Sequence, residues 1–432
     1  MKKNQATALT ILVSFFMAAT ANAQIDNLNN MSAEWIRAGA RNASIDGTDI
    51  IVYNPGGVCL LQQGLHVNLG NQSFFRRPSH EYDLGLGKTK FVQKGNDLTV
   101  PDLFISYNKN KWALFGAVYI AGGGATVNFP KGSITTDLIS QSTLAAYMGA
   151  YNTVKDQHLK ASSYYISSAI GASYKVSDKI SFGLFLRGIS AKNKTEAGFT
   201  LFDSPVQYPD ATLLFKTEDN ASGIGFVAGV DVKPSDKLNL TLRYESKIKL
   251  DFKTKVIHDD LGIAVDGQKN RRDLPAVTGF GLGYSVTDKL KILFDFNYYF
   301  QTHADWGKTD TAIGNVSLSK LAGNASSFAL GFEYHFTQKL LVSLGTVYTY
   351  NNYKDQTNYF THLGAFEVVQ VSNTSINAGI AYQVTKKIKV NVGMLRAVYP
   401  KNRKVKSVNA GGVDVTINNG ITGIGLGVDF LF

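Results

Sequence analysis

From Leu65 to Phe432 the chain repeats one unit: apolar and polar residues alternate, a short polar turn follows, and alternation resumes. Ile292, Phe294, Phe296, Tyr298 and Phe300 share one parity, with Lys291, Asp295 and Asn297 on the other. Leu238, Leu240, Leu242 and Tyr244 oppose Asn239, Thr241, Arg243 and Glu245, and Ile424, Leu426, Val428 and Phe430 oppose Gly423, Gly425, Gly427 and Asp429. A period of two puts each set on one face of a sheet. The turns include Val176-Ser177-Asp178-Lys179, Val286-Thr287-Asp288-Lys289 and Val384-Thr385-Lys386-Lys387, each of hairpin length. The pattern predicts strands over 65–75, 98–107, 112–121, 163–175, 179–191, 223–233, 237–250, 274–286, 289–300, 325–336, 339–351, 371–384, 387–399 and 420–432.

The links between these strands alternate between short and long, the long ones being 76–97, 122–162, 192–222, 251–273, 301–324, 352–370 and 400–419. Short turns on one side and long loops on the other define a transmembrane barrel, whereas a soluble sandwich lacks such regularity. A strand of about ten residues tilted by ~40° spans roughly 25 Å, the height of an outer-membrane hydrocarbon band. Tyr244, Tyr284, Tyr298, Tyr334 and Tyr348 fall near strand ends on the apolar face, as in an aromatic girdle. The chain ends on Phe432, a terminal aromatic suited to engage the barrel-assembly machinery. The expected fold is all-β, a transmembrane antiparallel barrel of about fourteen strands over 65–432.

The segment before it does not fit the repeat. Asp49 to Leu61 is apolar, is broken by Asn54-Pro55-Gly56-Gly57, and has no neighbouring strand to pair with. Residues 24–64 are therefore expected inside the cylinder, as a plug or hatch in the lumen. Residues 1–23 read as a secretory signal, with Lys2 and Lys3, an apolar run from Ala8 to Ala19, and Ala21-Asn22-Ala23 before Gln24. No stretch supplies the ~20 apolar residues of a membrane helix.

Composition agrees. Mean hydropathy of -0.06 is what alternating strands produce, and 41 glycines with 12% aromatics suit strands and turns. The formal net charge is +11, but Lys237, Lys289, Lys339, Lys386 and Lys387 mark strand ends, with no single basic stripe, so nucleic acid is not an expected partner. Loop lysines suit anionic outer-membrane lipid instead. Cys59 is the single cysteine, which excludes an internal disulfide, and its apolar surroundings suit a buried hydrophobe.

Ala33-Glu34-Trp35-Ile36-Arg37-Ala38-Gly39-Ala40-Arg41, Asp49 and Tyr53-Asn54-Pro55-Gly56-Gly57-Val58 resemble the start of the long-chain fatty acid transporter (FadL/TodX) family. Gly56 stands where that family's motif has alanine. Leu274-Pro275-Ala276 before Gly281-Leu282-Gly283-Tyr284, Asp288-Lys289-Leu290 and Asp305-Trp306 is similar to a second recurring family pattern. The resemblance implies a fourteen-stranded barrel with an N-terminal hatch that moves hydrophobic molecules, bound among apolar luminal side chains and released sideways through a break in the third strand.

Four groups of residues carry candidate roles. Asn54, Pro55, Gly56 and Gly57 form a tight corner, either structural or the gate of the hatch. Gly122, Gly123 and Gly124 weaken the end of the third strand and either begin a flexible loop or shape a lateral opening. Thr136 to Tyr151 has a helix-compatible pattern, for capturing ligand or covering the mouth. Arg187, Arg243, Lys247 and Lys389 face the lumen, to meet a ligand carboxylate or to pair with Asp231, Glu245, Asp295 and Glu333. The seven histidines show no metal spacing, no GxSxG elbow occurs, and the Gly423–Gly427 run lies on a strand rather than opening a helix. The sequence thus predicts a non-enzymatic outer-membrane channel for passive uptake of hydrophobic molecules, without metal or cofactor. A general porin for polar solutes, or a barrel that binds a protein partner in adhesion or secretion, are the alternatives.

Overall fold

The computed structural model describes residues 27–83, 88–311, 314–363, 371–406 and 414–432. The segment read as a signal, 1–23, lies outside them. Among the described residues fourteen strands close into one antiparallel barrel: β1 (Gly64–Arg76), β2 (Gly95–Lys109), β3 (Trp112–Phe129), β4 (Thr153–Lys175), β5 (Ile180–Phe202), β6 (Ala211–Ser235), β7 (Leu238–Glu245), β8 (Val277–Ser285), β9 (Leu290–Tyr299), β10 (Ala325–His335), β11 (Leu340–Asn351), β12 (Asn373–Thr385), β13 (Ile388–Val398) and β14 (Gly420–Leu431). Closure comes from β1 pairing with β14, His66 opposite Leu431 through Arg76 opposite Ile421.

The alternation does what its period requires. On β9, Leu293, Asp295, Asn297 and Tyr299 are buried, while Phe294, Phe296 and Tyr298 on the other face are partly exposed. Leu184, Leu186, Ile224, Leu242, Leu344 and Leu426 are exposed apolar residues on the outer wall, which is lipid-facing in an outer-membrane barrel. No helix among the described residues is long and apolar enough to cross a membrane.

Strands β3 to β6 run well past their expected ends. On β5 the alternation continues, with Ala191, Asn193 and Thr195 buried between exposed Lys192 and Lys194. The outward positions turn from apolar to charged there, so hydrophobicity stops marking a strand whose ladder persists. Above the wall, Ser79–Asp83, Lys88–Val92, Arg403–Lys406 and Asp414–Asn418 make a separate four-stranded sheet. A helix, α2 (Ile134–Ala146), starts two residues earlier and ends five earlier than expected, capped by Ser133, whose side chain accepts from the Thr136 N–H. It buries Ile134 and Ile139 in an apolar layer with Phe129, Phe199, Leu201 and Trp306.

Residues 27–63 lie inside the barrel. A short helix, α1 (Ala33–Ala38), packs on β10 to β14 and β1, and a 3-10 turn over Pro55–Leu60 packs on β2 to β6. Contact with strands around the whole circumference is possible only from within. Glycines make room for the plug backbone: a Cβ at Gly345 would overlap the Ala38 carbonyl oxygen, and one at Gly393 would sit 2.5 Å from the Arg37 nitrogen. The inward glycines of β14 serve the same purpose, Gly425 lying against Ala33.

Candidate functional site

The plug is held by charges that the lumen would otherwise leave costly. Ser32 caps α1 and donates to Asp49 (2.9 Å). Arg41, fully buried, grips Asp49 through Nη2 (2.6 Å) and Nε (3.0 Å) and Asp46 through Nη1 (2.8 Å). Burial works against the Arg41 charge, but Asp46 and Asp49 outweigh it and raise its pKa. Arg37 reaches the wall, pairing with Glu333 at 2.8 Å and donating to Ser343. Asp295 of β9 accepts from the backbone N–H groups of Arg41 (2.7 Å) and Asn42 (3.0 Å). Glu34 Oε1 accepts from Asn68 of β1 and Asn391 of β13, each at 2.8 Å. Burial, reinforced by Asp49, Asp429 and Asp102, holds the Glu34 carboxyl well above the usual carboxylate range.

The Asn54-Pro55-Gly56-Gly57 corner is wedged onto β5 and β6. Asn54 Nδ2 donates to Asp231 of β6 (2.6 Å), and its Oδ1 accepts from the Gly57 N–H (3.1 Å). Pro55 lies against Gly183 and Gly229, and a Cβ on Gly56 would sit 2.8 Å from the Asp231 nitrogen. Neither Gly56 nor Gly57 has positive φ. The missing side chain lets Gly56 approach the wall at β6, and at Gly57 it leaves room for the Asn54 and Ile45 side chains within the plug. Cys59, next along the turn, is buried, and burial pushes its thiol pKa up.

The four luminal cations do not converge on one point. Arg187 and Arg243 share Glu245, at 2.7 and 3.2 Å, and Arg243 also donates to the Val52 (2.7 Å) and Tyr53 (3.0 Å) carbonyls of the plug. Lys389, on the far wall, meets Asp429 at 3.3 Å and the Asp46 carbonyl at 2.5 Å. Lys247 is half-exposed near the mouth, donating to the His303 carbonyl (3.2 Å).

The wall has a seam. β2 and β3 pair from Lys109–Trp112 only as far as Leu103–Val118. Beyond that, β2 continues to pair with β1, from Val100 opposite Gln72 to Gly95 opposite Arg76, and β3 continues against β4, but no ladder joins β2 to β3 among the described residues. The two strands meet again higher up, where the Lys94 N–H reaches the Asn128 carbonyl (2.8 Å) and the Thr126 N–H reaches Asp97 (3.1 Å).

Two features of the chain open it. Val100 directs its N–H towards β1, at Asn71 Oδ1 (3.1 Å), so the next amide should face β3; that residue is Pro101, which has no N–H. On β3 the register against β4 slips twice, between Ile120 and Gly122 and between Gly123 and Ala125. Each single-residue bulge reverses the facing of the strand, and the pair restores it. Gly123 has φ +72°, and a Cβ there would fall 2.6 Å from Ser163 Oγ, so both conformation and space demand glycine. The glycine run thus shapes a doubly bulged strand, with Gly122 and Gly123 on its pairing edge.

The plug covers this seam from inside. Asn27 forms an antiparallel bridge with Gly122, and the Leu28 N–H donates to the Ala121 carbonyl (3.0 Å). The following residues are tied across the lumen: Tyr53 Oη accepts from the Met31 N–H and donates to the Asn29 carbonyl, both at 2.8 Å. Gln72 and Asn30 exchange bonds of 3.0 and 3.2 Å. Behind the seam lies a buried apolar belt that includes Phe104, Tyr119, Ile120, Tyr165 and Phe252, with Phe104 stacked on Tyr119 and Tyr165 against Phe252. A closed barrel, a lumen occupied by a tethered N-terminal plug, and an interrupted ladder backed by apolar side chains together define a plugged transmembrane channel with a side seam.

Comparison with known proteins agrees. The model of a family described as outer membrane protein transport protein (OMPP1/FadL/TodX) matches residues 13–432, and the chain belongs to that family. It is an outer-membrane protein. It is 24% identical to two Outer membrane protein P1 sequences of Haemophilus influenzae. One match covers 94% of this chain and 92% of the relative; the other covers 56% of each, little more than half the relative's length. Among solved structures, a Pseudomonas aeruginosa FadL homologue matches with TM-score 0.67 at 14% identity, over 94% of this chain and 100% of the other. The Pseudomonas putida toluene transporter TodX matches with TM-score 0.62 at 13% identity, again over 94% and 100%. The Ralstonia pickettii toluene transporter TbuX matches with TM-score 0.58 at 15% identity, over 89% and 94%.

Proposed function

We propose that this outer-membrane transport protein is a passive channel for small hydrophobic molecules, which bind in the luminal apolar belt and leave sideways through the β2–β3 seam. The observation that carries this reading is the seam, an interrupted ladder whose inner side is lined by Phe104, Tyr119 and Ile120 and covered by Asn27 and Leu28. An apolar solute gains by passing from this belt into lipid without crossing water, and no energy source is needed beyond its gradient. Family membership and the toluene transporters of the same fold support the ligand class. The tethered plug opposes the general-porin reading, because polar solutes need a wet lumen.

In this mechanism Asn27 and Leu28 are the movable cover, held at the seam by two backbone contacts and by packing of Leu28 on the apolar belt, while Asn54-Pro55-Gly56-Gly57 is the fixed hinge on β5 and β6. Arg243 and Lys389 hold the plug through its Val52, Tyr53 and Asp46 carbonyls, Arg187 braces the wall through Glu245, and half-exposed Lys247 at the mouth, 3.9 Å from Asp273, is the cation assigned to a carboxylate headgroup. Cross-linking tests the route. In a Cys59→Ser background, Asn27→Cys with Gly122→Cys places two thiols at paired positions. We expect oxidation to lower uptake of a long-chain fatty acid or toluene at least tenfold, with recovery on reduction and barrel assembly unaffected. Full-rate uptake by completely cross-linked protein would reject the seam as the exit, and liposome swelling by sugars would favour the porin.

A further inference from the structure

The lysines that form no stripe in the sequence are gathered by strand register. On the outer face of β4, β5, β6 and the adjoining strand Asp251–Asp259, Lys194 lies opposite Ser162 and Glu218, and Glu218 lies opposite Lys255. One rung lower, Lys192 lies opposite Tyr164 and Asn220, and Asn220 opposite Lys253; one rung higher, Glu196 lies between Lys160 and Lys216. Six lysines thus share a patch with two glutamates. Glu218 is bound by Lys192 (2.9 Å) and Lys194 (3.2 Å), and Glu196 by Lys216 (3.0 Å). The lysine side chains stay about half exposed, 46% for Lys192, 54% for Lys194 and 49% for Lys216. Four strands at ~4.8 Å spacing and three rungs at ~6.8 Å make a patch of roughly 14 by 14 Å.

Its height fixes what it meets. Below the patch the outward positions are apolar: Ile166 and Ile170 on β4, Phe182, Leu184 and Leu186 on β5, Ile224 and Phe226 on β6. From Ile180 at the short-turn end to Ser190 is roughly 26 Å along the membrane normal at ~40° tilt, the height of the apolar band. Lys192 is the next outward residue. The patch therefore stands at the level of the outer-leaflet headgroups, on one side of the barrel only. On β9 and β11 the band ends instead in Tyr298, Tyr348 and Tyr350.

We infer that this outer wall of β4 to β6 is a binding site for the phosphorylated headgroup of an outer-leaflet glycolipid, with the acyl chains lying on the apolar band beneath. Excess positive charge next to lipid and a span matching one disaccharide headgroup suit two phosphates, and lysine binds phosphate as a point charge. The site is independent of the uptake route. Detergent-purified full-length protein should bind bisphosphorylated lipid A, measured by native mass spectrometry, at least tenfold more tightly than its dephosphorylated form. A lysine at an anionic surface is worth roughly fivefold, so Lys192→Gln, Lys194→Gln, Lys253→Gln and Lys255→Gln combined should weaken binding by tenfold or more. The same number of glutamines at Lys237, Lys289, Lys339 and Lys386 in the short turns should not. Millimolar inorganic phosphate should fail to displace the lipid; displacement would point to a free-anion site and overturn the lipid assignment. Equal binding of dephosphorylated lipid, or wild-type affinity in the patch variant with its thermal melting unchanged, would also overturn it.

Discussion

The two sides of the barrel treat the plug differently. From β8 to β14 the wall is regular: strands of 9 to 13 residues with ladders continuous but for one slip near the end of β12, glycines that admit the plug backbone, and buried ion pairs that fasten it. From β2 to β6 the strands run from 15 to 25 residues, the ladder is interrupted at the seam, and the plug meets that seam through two backbone contacts. The β8–β14 side fastens the plug with a buried ion pair, while the β2–β6 side holds it at the Asn54-Pro55 corner on β5 and β6 and meets it at the seam only through Asn27 and Leu28. If the cover opens as proposed, its contacts at the seam are separate from the buried Arg37–Glu333 pair, so local opening need not cost global stability.

If that division is right, damage to the anchoring side should be the more severe. Arg37→Ala leaves Glu333 buried without its ion pair and should destabilise plug seating by about 3–5 kcal/mol. Limited proteolysis within residues 27–63 and raised single-channel conductance would report it, and a change below about 1 kcal/mol would contradict the anchoring role. A smaller effect is expected from Gly345→Leu, which sets a side chain against the Ala38 carbonyl and should cost roughly 1–3 kcal/mol as overpacking. Gly188→Leu makes the control: a Cβ there has its nearest neighbour 4.0 Å away, so assembly and conductance should be unchanged.

Two pH dependences sharpen the comparison further. His80, buried against Phe129 in the outer sheet, has its pKa lowered to about 4 by burial. Unfolded His80 takes up a proton below its ordinary pKa while the folded side chain does not, so local stability should fall as pH drops from 6.5 towards 4. At pH 5 the loss is about 2 kcal/mol, visible as faster hydrogen exchange over 79–83, and absent in His80→Phe. Glu34 works in the opposite sense. Its folded pKa is raised, so the plug keeps its full contribution below about pH 4.5 and loses up to about 1.4 kcal/mol per pH unit above it, until the folded carboxyl ionises. Glu34→Gln should flatten the melting temperature against pH; an unchanged slope would assign it to another group.

Most of the barrel was legible because its chemistry is periodic. Alternation on β7, β9 and β14 gives the faces directly, and the turns give the order of pairing. The upper parts of β4 to β6 were not legible as strand, because Lys192, Lys194 and Glu196 look like loop residues until the inward Ala191, Asn193 and Thr195 are read with them. The glycine run at 122–124 marked the irregular strand, but the seam needed its partner, and Pro101 was the available signal: a proline within an apparently interior strand makes it locally an edge. The plug cations could not be assigned from sequence, since Arg243 and Lys389 find the Val52, Tyr53 and Asp46 carbonyls only after the barrel closes. The basic patch was hidden for the same reason, its lysines lying on four separate strands.

The pairing of β1 with β14 also sets an order of events. Leu65 exchanges backbone bonds of 3.2 and 2.9 Å with Phe432, so the cylinder is completed only when β14 reaches β1. By then the plug, made first and joined directly to β1, has to lie among the strands that will enclose it, because Arg37, Asn42 and Asn54 bond to β10, β8 and β6 from inside. The wall is wrapped around its stopper. A variant whose plug cannot seat should therefore stall with the β1–β14 junction open, accumulating as a heat-sensitive intermediate in pulse-labelled assembly rather than as a finished empty pore.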